Sequence, residues 1–598
     1  MLGRFVAWPL APWLTLLVAA LVLLAKCVPA PLGVPVADDF DYLHRSMFAS
    51  HHSWLGGGGA NVYWRPVGRQ LYFALTSWFV VHQPGVVALV HGLTLLATAA
   101  LLLKALLPRL QWPAAVFAAT FVLLLDGTRM LIAWPSNFMD LGAILFAVVA
   151  LHEALRERTL TMAIAMLLAL LSKEIAVVAV VLIPFAPGIV GRRRQALGAG
   201  VVLVVWGIAY TFVERQDRLI PSFAPGATGD AAERVLSGCT WALMSGLHSA
   251  FSLSTHASPF QAVATPILAL LAAAVTLTAW RRADVRDRMK TVGPWVLWGV
   301  LWFVFSSLAL APLYPAWTPY RAVFGAIGLG IGLASLAGAV SPTLLASIAA
   351  LRVALFIVSP GPPARIEPTP PDHGAYLDFP RLVRLERIVV ETRDKLLLTH
   401  HALPHGAIVG IQGYPLLSTF AFAGPKALHV WYADTTLQWA FVGEQGTRAA
   451  ASYAAILEYE PDGSSQIASV APIATALEDS GLVLMSQGQW GRALALLDAA
   501  DSAQPDRLAH VFLGALFGRR AVCLLSLGRV MEAETEAHRG AALWSYNPDA
   551  RITLASILFD RGDARGAEAE VDTMLIYNPR DRDALQIRDR IGSSSRGS

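Results

Sequence analysis

The sequence predicts a polytopic α-helical membrane protein with a small extracytoplasmic α/β module and an α-helical C-terminal domain. Three observations lead to this fold class. Of the 598 residues, 55% are hydrophobic and only 15% are charged, whereas soluble domains carry about 25% charged residues. Apolar runs of the length that a bilayer requires recur up to residue 358. Beyond residue 359 the composition changes sharply, which indicates that the soluble domains follow the membrane region.

The charge and cysteine content argue against several classes of function. The net charge is +4, and the basic residues form short scattered clusters, so no nucleic-acid partner is predicted. The three cysteines, Cys27, Cys239 and Cys523, lie far apart and lack metal-ligand spacing. Neither a zinc site nor a disulfide framework is therefore indicated.

The membrane region is predicted to cover residues 1–358. Its first apolar run has some features of a signal peptide, but further apolar runs follow it, so we expect an uncleaved span. A span needs ~20 apolar residues. This rule gives about eleven segments: 10–32, 85–107, 112–127, 137–155, 159–172, 175–190, 195–213, 262–280, 292–313, 321–339 and 342–358. The third, fifth and sixth are short, which leaves tilted or re-entrant paths open for them.

Lysine and arginine in the loops orient these segments. With a cytoplasmic N-terminus, the main cationic clusters all fall on the cytoplasmic side. These are Lys104 and Arg109, Arg156 and Arg158, Arg192 to Arg194, and the cluster from Arg281 to Lys290. The opposite face then collects the loops at 33–84 and 214–261, together with everything after residue 358. One or two helices on the membrane surface are predicted within 214–261.

The rest of the chain divides into four predicted regions: a proline-rich linker at 359–372, a small α/β module at 373–469, helical repeats at 470–591 and a disordered tail at 592–598. The linker composition favours a stiff, extended chain. Within the module, the patterns predict a helix at 380–398 and buried strands at 407–411 and 428–432.

Three segments of the C-terminal region share a glycine, an alanine five residues later and a following proline. They are Gly488-Ala493-Pro505, Gly528-Ala533-Pro548 and Gly562-Ala567-Pro579. The step of 34 residues from Gly528 to Gly562 is the tetratricopeptide period. The region therefore resembles a short tetratricopeptide array of roughly three repeats, which implies protein–protein binding. A generic α-hairpin domain is the alternative.

A charged motif directly follows the first apolar segment. Asp38, Asp39 and Asp41 place three carboxylates within four residues, and Arg65 follows in the same loop. Charged groups at the ends of membrane spans are costly and usually functional. Carboxylates and a cation held together at a membrane surface would suit chemistry on a lipid phosphate.

In their order along the chain, the motifs of the membrane region resemble those of the GT-C glycosyltransferases, in particular the protein O-mannosyltransferase-like group. The resemblance covers roughly residues 1–358. It rests on Asp38-Asp39-Phe40, the segment from Tyr63 to Arg69, Pro84-Gly85 with His91, the segment from Leu171 to Glu174, and Tyr320-Arg321. It implies a GT-C-like fold and transfer of a sugar from a polyprenyl-phosphate donor in the membrane. The acceptor would be a hydroxyl group of a protein or glycan on the extracytoplasmic face.

The resemblance also implies roles for the charged residues. An acidic residue of the first external loop would be the general base, which we assign to Asp39 with Asp38 as its partner. Direct displacement would invert the anomeric centre. Glu174 is expected to contact the acceptor, a metal or Lys173. Cations would stabilise the charge of the leaving phosphate, and the candidates are Arg65, Lys173, Arg321 and Arg69.

Structural interpretations of the same residues stay open. Arg65, Arg321 and the Lys173-Glu174 pair could each anchor a span at the interface. His91 is expected to be a packed, hydrogen-bonded core residue. No cofactor is predicted. The acidic motif is Asp-Asp where the family often pairs Asp with Glu, and no convincing second acidic motif follows, so dependence on a divalent metal is left open.

Two other functions are compatible with the sequence. A non-catalytic membrane scaffold would recruit partners through the repeats and would tolerate neutralisation of the acidic loop. A transporter of a lipid-linked molecule would need polar residues along the middle of several spans, and the sequence has few. The alanine- and arginine-rich composition favours a bacterial inner membrane with periplasmic C-terminal domains.

Overall fold

A computed structural model of the chain describes residues 10–49, 54–55, 63–213, 231–253, 277, 281–313, 317–362, 377–412, 421–441, 453–459, 465–468, 470–505, 507, 509–577 and 581–594. The chain divides into two compact units. The first comprises Met1–Pro35, Arg45–Pro362 and Gly374–Val383, and the second comprises Val36–His44, Pro363–His373 and Arg384–Ser598. The acidic motif at 38–41 thus belongs to the same unit as the C-terminal region.

The described part of the first unit is helical. Its main helices are α1 (Leu10–Ala25), α3 (Tyr72–His82), α4 (Pro84–Leu106), α5 (Trp112–Phe121), α6 (Asp126–Ala133), α7 (Phe138–Ala154), α8 (Thr159–Ser172), α9 (Val177–Leu182), α10 (Arg192–Thr211), α11 (Ala231–Ala250), α12 (Ala283–Leu308), α13 (Ala322–Val340) and α14 (Pro342–Val358). Helix α2 (Asp38–Phe48) begins in the second unit. Short helical turns join several of them, at Pro66–Leu71, Pro135–Asn137, Glu174–Ala176, Ile183–Phe185, Ala311–Leu313 and Pro319–Arg321.

Five described helices are long and apolar enough to cross a membrane: Pro84–Leu106, Pro135–Ala154, Arg192–Thr211, Ala283–Leu313 and Pro319–Val340. The bent pair α5 and α6, with an angle of 56°, would make a sixth. The predicted count of about eleven spans is therefore not confirmed. Several predicted spans are short apolar helices, such as α8 with 14 residues, which reaches only ~21 Å. The predicted span at 262–280 lies outside the described residues except for Leu277.

Helices α12 and α13 pack closely because glycines lie where they cross. A Cβ atom on Gly299 would come within 2.8 Å of the Gly332 backbone nitrogen. Small residues are a common means of close helix packing in membranes. The Trp302 indole N–H donates to the Phe324 carbonyl oxygen at 2.9 Å, which adds a polar contact between the same two helices.

Two fully buried arginines satisfy backbone carbonyl groups of the first unit. Arg352 of α14 donates to the Phe121 and Leu124 oxygens at 2.9 and 2.7 Å. These carbonyls lie at the break between α5 and α6, where the helical hydrogen bonds end. Arg129 of α6 pairs with Asp126 and donates to the Pro360 oxygen at 2.8 Å. Both arginines have a structural role that hydropathy alone did not reveal.

The second unit contains a four-stranded sheet and a helical array. Its strands are β1 (Ile408–Gln412), β2 (Gln438–Phe441), β3 (Tyr453–Tyr459) and β4 (Ser465–Ala468), in the order β2-β1-β3-β4. Strand β1 is parallel to β2 and β3, and β3 is antiparallel to β4. Helix α15 (Phe379–Thr399) precedes the sheet and corresponds to the predicted helix at 380–398. Thr392 of α15 is hydrogen-bonded to Tyr459 of β3 at 2.9 Å.

The predicted strand at 428–432 is wrong, because Lys426–Tyr432 forms helix α16. A short apolar run does not by itself distinguish a strand from a buried helix. Here Pro425 precedes the helix, and Ala433 ends it in the left-handed conformation with φ of 53°. Since β1 and β2 are parallel neighbours, a connection that crosses over is required between them, and α16 lies in that connection.

The repeat region consists of paired helices: α17 (Pro472–Ser486) with α18 (Trp490–Ala503), α19 (His510–Ser526) with α20 (Val530–Leu543), and α21 (Pro548–Asp560) with α22 (Ala564–Tyr577), followed by α23 (Arg582–Ser594). The three glycines of the sequence pattern lie in the turns between paired helices, with φ of 72°, 77° and 85°. The three alanines of the pattern are fully buried. Helix α23 includes the first part of the predicted tail, and Pro579 lies outside the described residues.

Each of these turns has the hydrogen bonds of a Schellman motif. The Gly528 N–H donates to the Leu525 oxygen, and the Arg529 N–H donates to the Leu524 oxygen, both at 2.9 Å. The same two bonds close the turns at Gly488 and Gly562. This motif requires a residue with positive φ at the helix end. The backbone conformation of the turns therefore explains why glycine recurs at these positions.

Gly528→Ala is expected to lower the free energy of local opening of the α19–α20 pair by about 1–2 kcal/mol, because a side chain disfavours the left-handed conformation. Amide hydrogen exchange in the full-length protein measures this quantity. Gly491→Ala in α18 is the control, since its Cβ would meet no atom within 4 Å and alanine favours the helix. Equal protection in the wild type and the Gly528 variant would contradict this account.

The repeats are expected to lose stability as the pH rises from about 4.5 to 7. Burial raises the pKa of the Glu478 carboxyl to about 7, although the paired Arg519 opposes the shift. The folded state therefore holds this proton more tightly than the unfolded state. Glu478→Gln should remove a pH dependence on the order of 2 kcal/mol, measured by hydrogen exchange, whereas Glu568→Gln at an exposed position should leave it in place.

Candidate functional site

An ion pair in the first unit joins two residues of the sequence motifs. The Arg65 guanidinium donates to both carboxylate oxygens of Glu174, from Nε at 3.1 and 2.9 Å and from Nη2 at 2.8 Å. It also lies 4.3 Å from the centroid of the Tyr63 ring. The Arg65 and Glu174 side chains are 12% and 25% exposed. This forked geometry is one that lysine at position 65 could not reproduce.

Gly68 explains how the turn that carries Arg65 approaches its neighbours. A Cβ atom at Gly68 would lie 2.6 Å from the Ser172 carbonyl oxygen and 2.9 Å from the Met139 Cα. Only glycine therefore lets the turn at Pro66–Leu71 pack against α7 and the end of α8. Because Ser172 is two residues before Glu174 in the chain, this packing brings Arg65 within reach of Glu174.

Lys173 and Glu174 have different partners. Lys173 has extended backbone, with φ of −160° and ψ of 141°, between α8 and the next turn. Its Nζ donates to Asp140 Oδ2 at 2.6 Å, and this pair is 13% and 6% exposed. Glu174 is therefore the partner of Arg65, and the Lys173-Glu174 pairing considered from the sequence is not formed. Asp140 was not assigned a role from the sequence, although a carboxylate in an apolar helix is the expected signal of a functional group.

Arg321 lies beside the same residues. Its Cζ is 5.8 Å from the Tyr320 ring centroid, and Lys173 Nζ is 5.4 Å from that centroid. Asp140 and Tyr63 also interact electrostatically with its guanidinium. The Nη1 group of Arg321 is buried and has no hydrogen-bond partner among the residues that the structure describes.

These residues form one ionic cluster, which we define as Arg65, Asp140, Lys173, Glu174 and Arg321. Its three cations and two carboxylates leave one positive charge. Arg69, the fourth predicted phosphate ligand, is 3% exposed and donates to the Tyr63 carbonyl oxygen at 3.4 Å. An excess positive charge, with an N–H group that has no partner within the described ranges, is suited to bind an anion.

The predicted base belongs to the second unit. Asp39 is fully buried, and its Oδ2 accepts a hydrogen bond from the Val36 N–H at 2.8 Å. Asp38 is exposed, so the two carboxylates point to different surroundings, as expected for adjacent residues at the start of a helix. Asp41 pairs with Lys426 of α16. The acidic motif is therefore anchored on the α/β module within that unit.

The sequence predicted that His91 is a core residue, and it left dependence on a divalent metal open. His91 is fully buried and donates from Nδ1 to the Leu131 oxygen at 2.7 Å. Its Nε2 accepts from the Tyr72 hydroxyl at 2.8 Å, so both ring nitrogens have partners, as expected for a core residue. Within the described ranges, no group of three or more His, Cys, Asp or Glu side chains is placed to hold a metal ion.

A double-mutant cycle of Arg65→Met and Glu174→Gln is expected to give a coupling energy of about 1 kcal/mol or more, because the pair is forked and largely buried. Unfolding of the purified protein in mixed micelles provides the free energies. The exposed Arg288–Asp284 pair, at 3.1 Å, is the control and should couple by less than about 0.5 kcal/mol. Equal coupling for both pairs would contradict a special role for the Arg65 fork.

Comparisons with known proteins assign no family. No family model and no curated protein matches the sequence. Among solved structures, an oligosaccharyltransferase from Archaeoglobus fulgidus, tethered to an acceptor peptide with an NVT sequon, is 12% identical with a TM-score of 0.32. That match covers 72% of this chain and 64% of the oligosaccharyltransferase. The TPR domain of P58(IPK) is 12% identical with a TM-score of 0.19, over 75% of this chain and 97% of that domain. Both scores are too low to assign a fold or a function.

Proposed function

We propose that this protein is a membrane glycosyltransferase that moves a sugar from a polyprenyl-phosphate donor to a hydroxyl group of a protein or glycan. The observation that carries the proposal is the ionic cluster, which has excess positive charge and includes a buried N–H group of Arg321 that has no partner in the described part of the chain. The order of motifs along the sequence supports the same activity.

The position of the cluster along the chain favours a lipid phosphate over a soluble one. Asp140 lies near the start of the apolar segment Pro135–Ala154, and Arg321 lies at the start of Pro319–Val340. The anion site is thus built from the ends of helices that are apolar enough to cross a membrane. A phosphate attached to a polyprenyl chain would lie at the depth of these helix ends while its hydrocarbon tail stays in the bilayer.

The reaction would be a direct displacement at the anomeric carbon. The acceptor oxygen forms the new glycosidic bond while the bond between the anomeric carbon and the donor phosphate oxygen breaks. The phosphate leaves with the electron pair, and Arg65, Lys173 and Arg321 would stabilise its charge. Asp39 would take the proton of the acceptor hydroxyl, with Asp38 as its partner, and the anomeric configuration would invert.

The ion pairs of the cluster give its residues distinct tasks in this proposal. Glu174 and Asp140 hold Arg65 and Lys173 in place when no donor is bound, and they limit the cost of burying those charges. Arg321 would then make the first contact with the donor phosphate. The repeats would bind a protein acceptor or partner, and we place them in the periplasm of a bacterial cell.

Asp39→Asn is expected to lower sugar transfer by about 10²–10⁴-fold, the usual contribution of a general base. The assay supplies labelled polyprenyl-phosphate sugars to purified membranes at equal expression of each variant. Arg321→Gln should weaken use of the donor by about tenfold or more. Arg288→Gln at an exposed position of α12 is the control and should be as active as the wild type.

Asp38→Asn and the wild-type assay decide which aspartate is the base and whether the protein is an enzyme or a scaffold. Loss of transfer in Asp38→Asn, with an active Asp39→Asn, would move the base to Asp38. Activity that survives both changes would exclude this motif as the source of the base. Absence of transfer by the wild type with every donor tested would refute the proposed enzyme and favour a scaffold that acts through its repeats.

A further inference from the structure

The aromatic ring of Tyr320 lies against two cations of the ionic cluster. Lys173 Nζ is 5.4 Å and Arg321 Cζ is 5.8 Å from the centroid of this ring. Both distances are within the ~6 Å over which a cation is attracted to an aromatic face. Lys173 follows the end of α8, whereas Arg321 directly precedes α13. The ring therefore connects cations that come from separate parts of the chain.

The position of the Tyr320 ring is fixed by its surroundings. Tyr320 is only 8% exposed. The Trp134 ring packs edge-to-face on it, with ring centroids 6.0 Å apart. A Cβ atom at Gly127 would lie 2.7 Å from the Tyr320 backbone nitrogen, so the glycine lets α6 pack directly against the turn that carries the tyrosine. The ring thus has little freedom to move away from the two cations.

The cations of the cluster are held in different ways. Arg65 and Lys173 are each paired with a carboxylate. Arg321 lies against the Tyr320 ring and also interacts with the Tyr320 hydroxyl, while its buried Nη1 group has no hydrogen-bond partner among the described residues. An aromatic ring attracts a cation without cancelling its charge. The charge of Arg321 therefore stays available to an anion, and the ring reduces the freedom that the side chain would lose on binding.

We propose that Tyr320 is a positioning residue that holds Lys173 and Arg321 in the arrangement that binds the donor phosphate. The inference rests on the proposed function, in which these two cations stabilise the leaving phosphate. The Tyr320 ring takes no part in making or breaking bonds, and it acts on the phosphate only through the cations. The affinity for a polyprenyl phosphate should therefore depend on the electron density of the ring at position 320.

The test varies the electron density of the ring face while the shape of the side chain is kept. Tyr320→Phe is compared with variants that carry phenylalanine with one, two or three fluorine atoms at the same position. Each fluorine weakens the attraction of the ring for a cation but changes its size little. Calorimetry of the purified full-length protein in mixed micelles measures the dissociation constant of farnesyl phosphate. From Tyr320→Phe to the trifluorinated variant, this constant should rise stepwise, by about 2–30-fold in total.

Two controls assign the trend to the cations. Fluorinated phenylalanine in place of Phe324, whose ring stacks on Trp302 with centroids 5.4 Å apart, should leave the dissociation constant unchanged. The trend at position 320 should become shallower in Arg321→Gln and in Lys173→Gln, because each change removes one cation from the ring. A trend caused by the contact with Trp134 would keep its slope in both variants.

Either of two results would overturn the role of Tyr320. One is a dissociation constant that stays the same along the fluorinated series, and the other is a slope that Arg321→Gln and Lys173→Gln both leave intact. The outcomes also separate this inference from the proposed function. Binding that follows the series without any sugar transfer would refute the enzyme and keep the role of Tyr320 in anion binding. Sugar transfer with a flat series would refute only the role of Tyr320.

Discussion

Charged groups taken out of water require partners, and this constraint organises the structure. Arg129 and Arg352 meet it with carboxylate or backbone oxygens, so their charges are used to hold helices together. Arg65 meets it with a forked carboxylate. Arg321 keeps a buried polar atom without a described partner. Such atoms are costly to bury, and the Nε groups of Arg129 and Arg352 also lack a described partner. Arg321 differs from these two arginines because it lies in the ionic cluster that we propose as the donor site.

Much of the fold could be predicted from periodicity because the cause lies in the local backbone. The turns at Gly488, Gly528 and Gly562 need positive φ, so the glycines recur and the repeat is visible in the sequence. The segment at 428–432 was misassigned because an apolar run of that length suits a strand or a helix. The number of spans could not be predicted from hydropathy, because hydropathy measures apolar length and not the 56° bend after Phe121. The carbonyl groups at that bend accept hydrogen bonds from Arg352, which lies far along the chain.

The candidate site was predicted only in its parts. Sequence order pointed to Arg65, Lys173 and Glu174, because charges at the ends of apolar segments stand out. Their pairing was not predictable, since it depends on the extended backbone at Lys173 and on the approach that Gly68 permits.

The anchoring of the acidic motif has a consequence for biosynthesis. Asp41 and Lys426, which pair within the second unit, are 385 residues apart in the chain. At ordinary rates of translation, on the order of a minute passes between the synthesis of one and the other. During that time the start of α2 has none of its partners from α16. The acidic segment therefore reaches its final structure late, after the membrane helices have been made, and a nascent chain cannot form the Asp41–Lys426 pair until α16 has been synthesised.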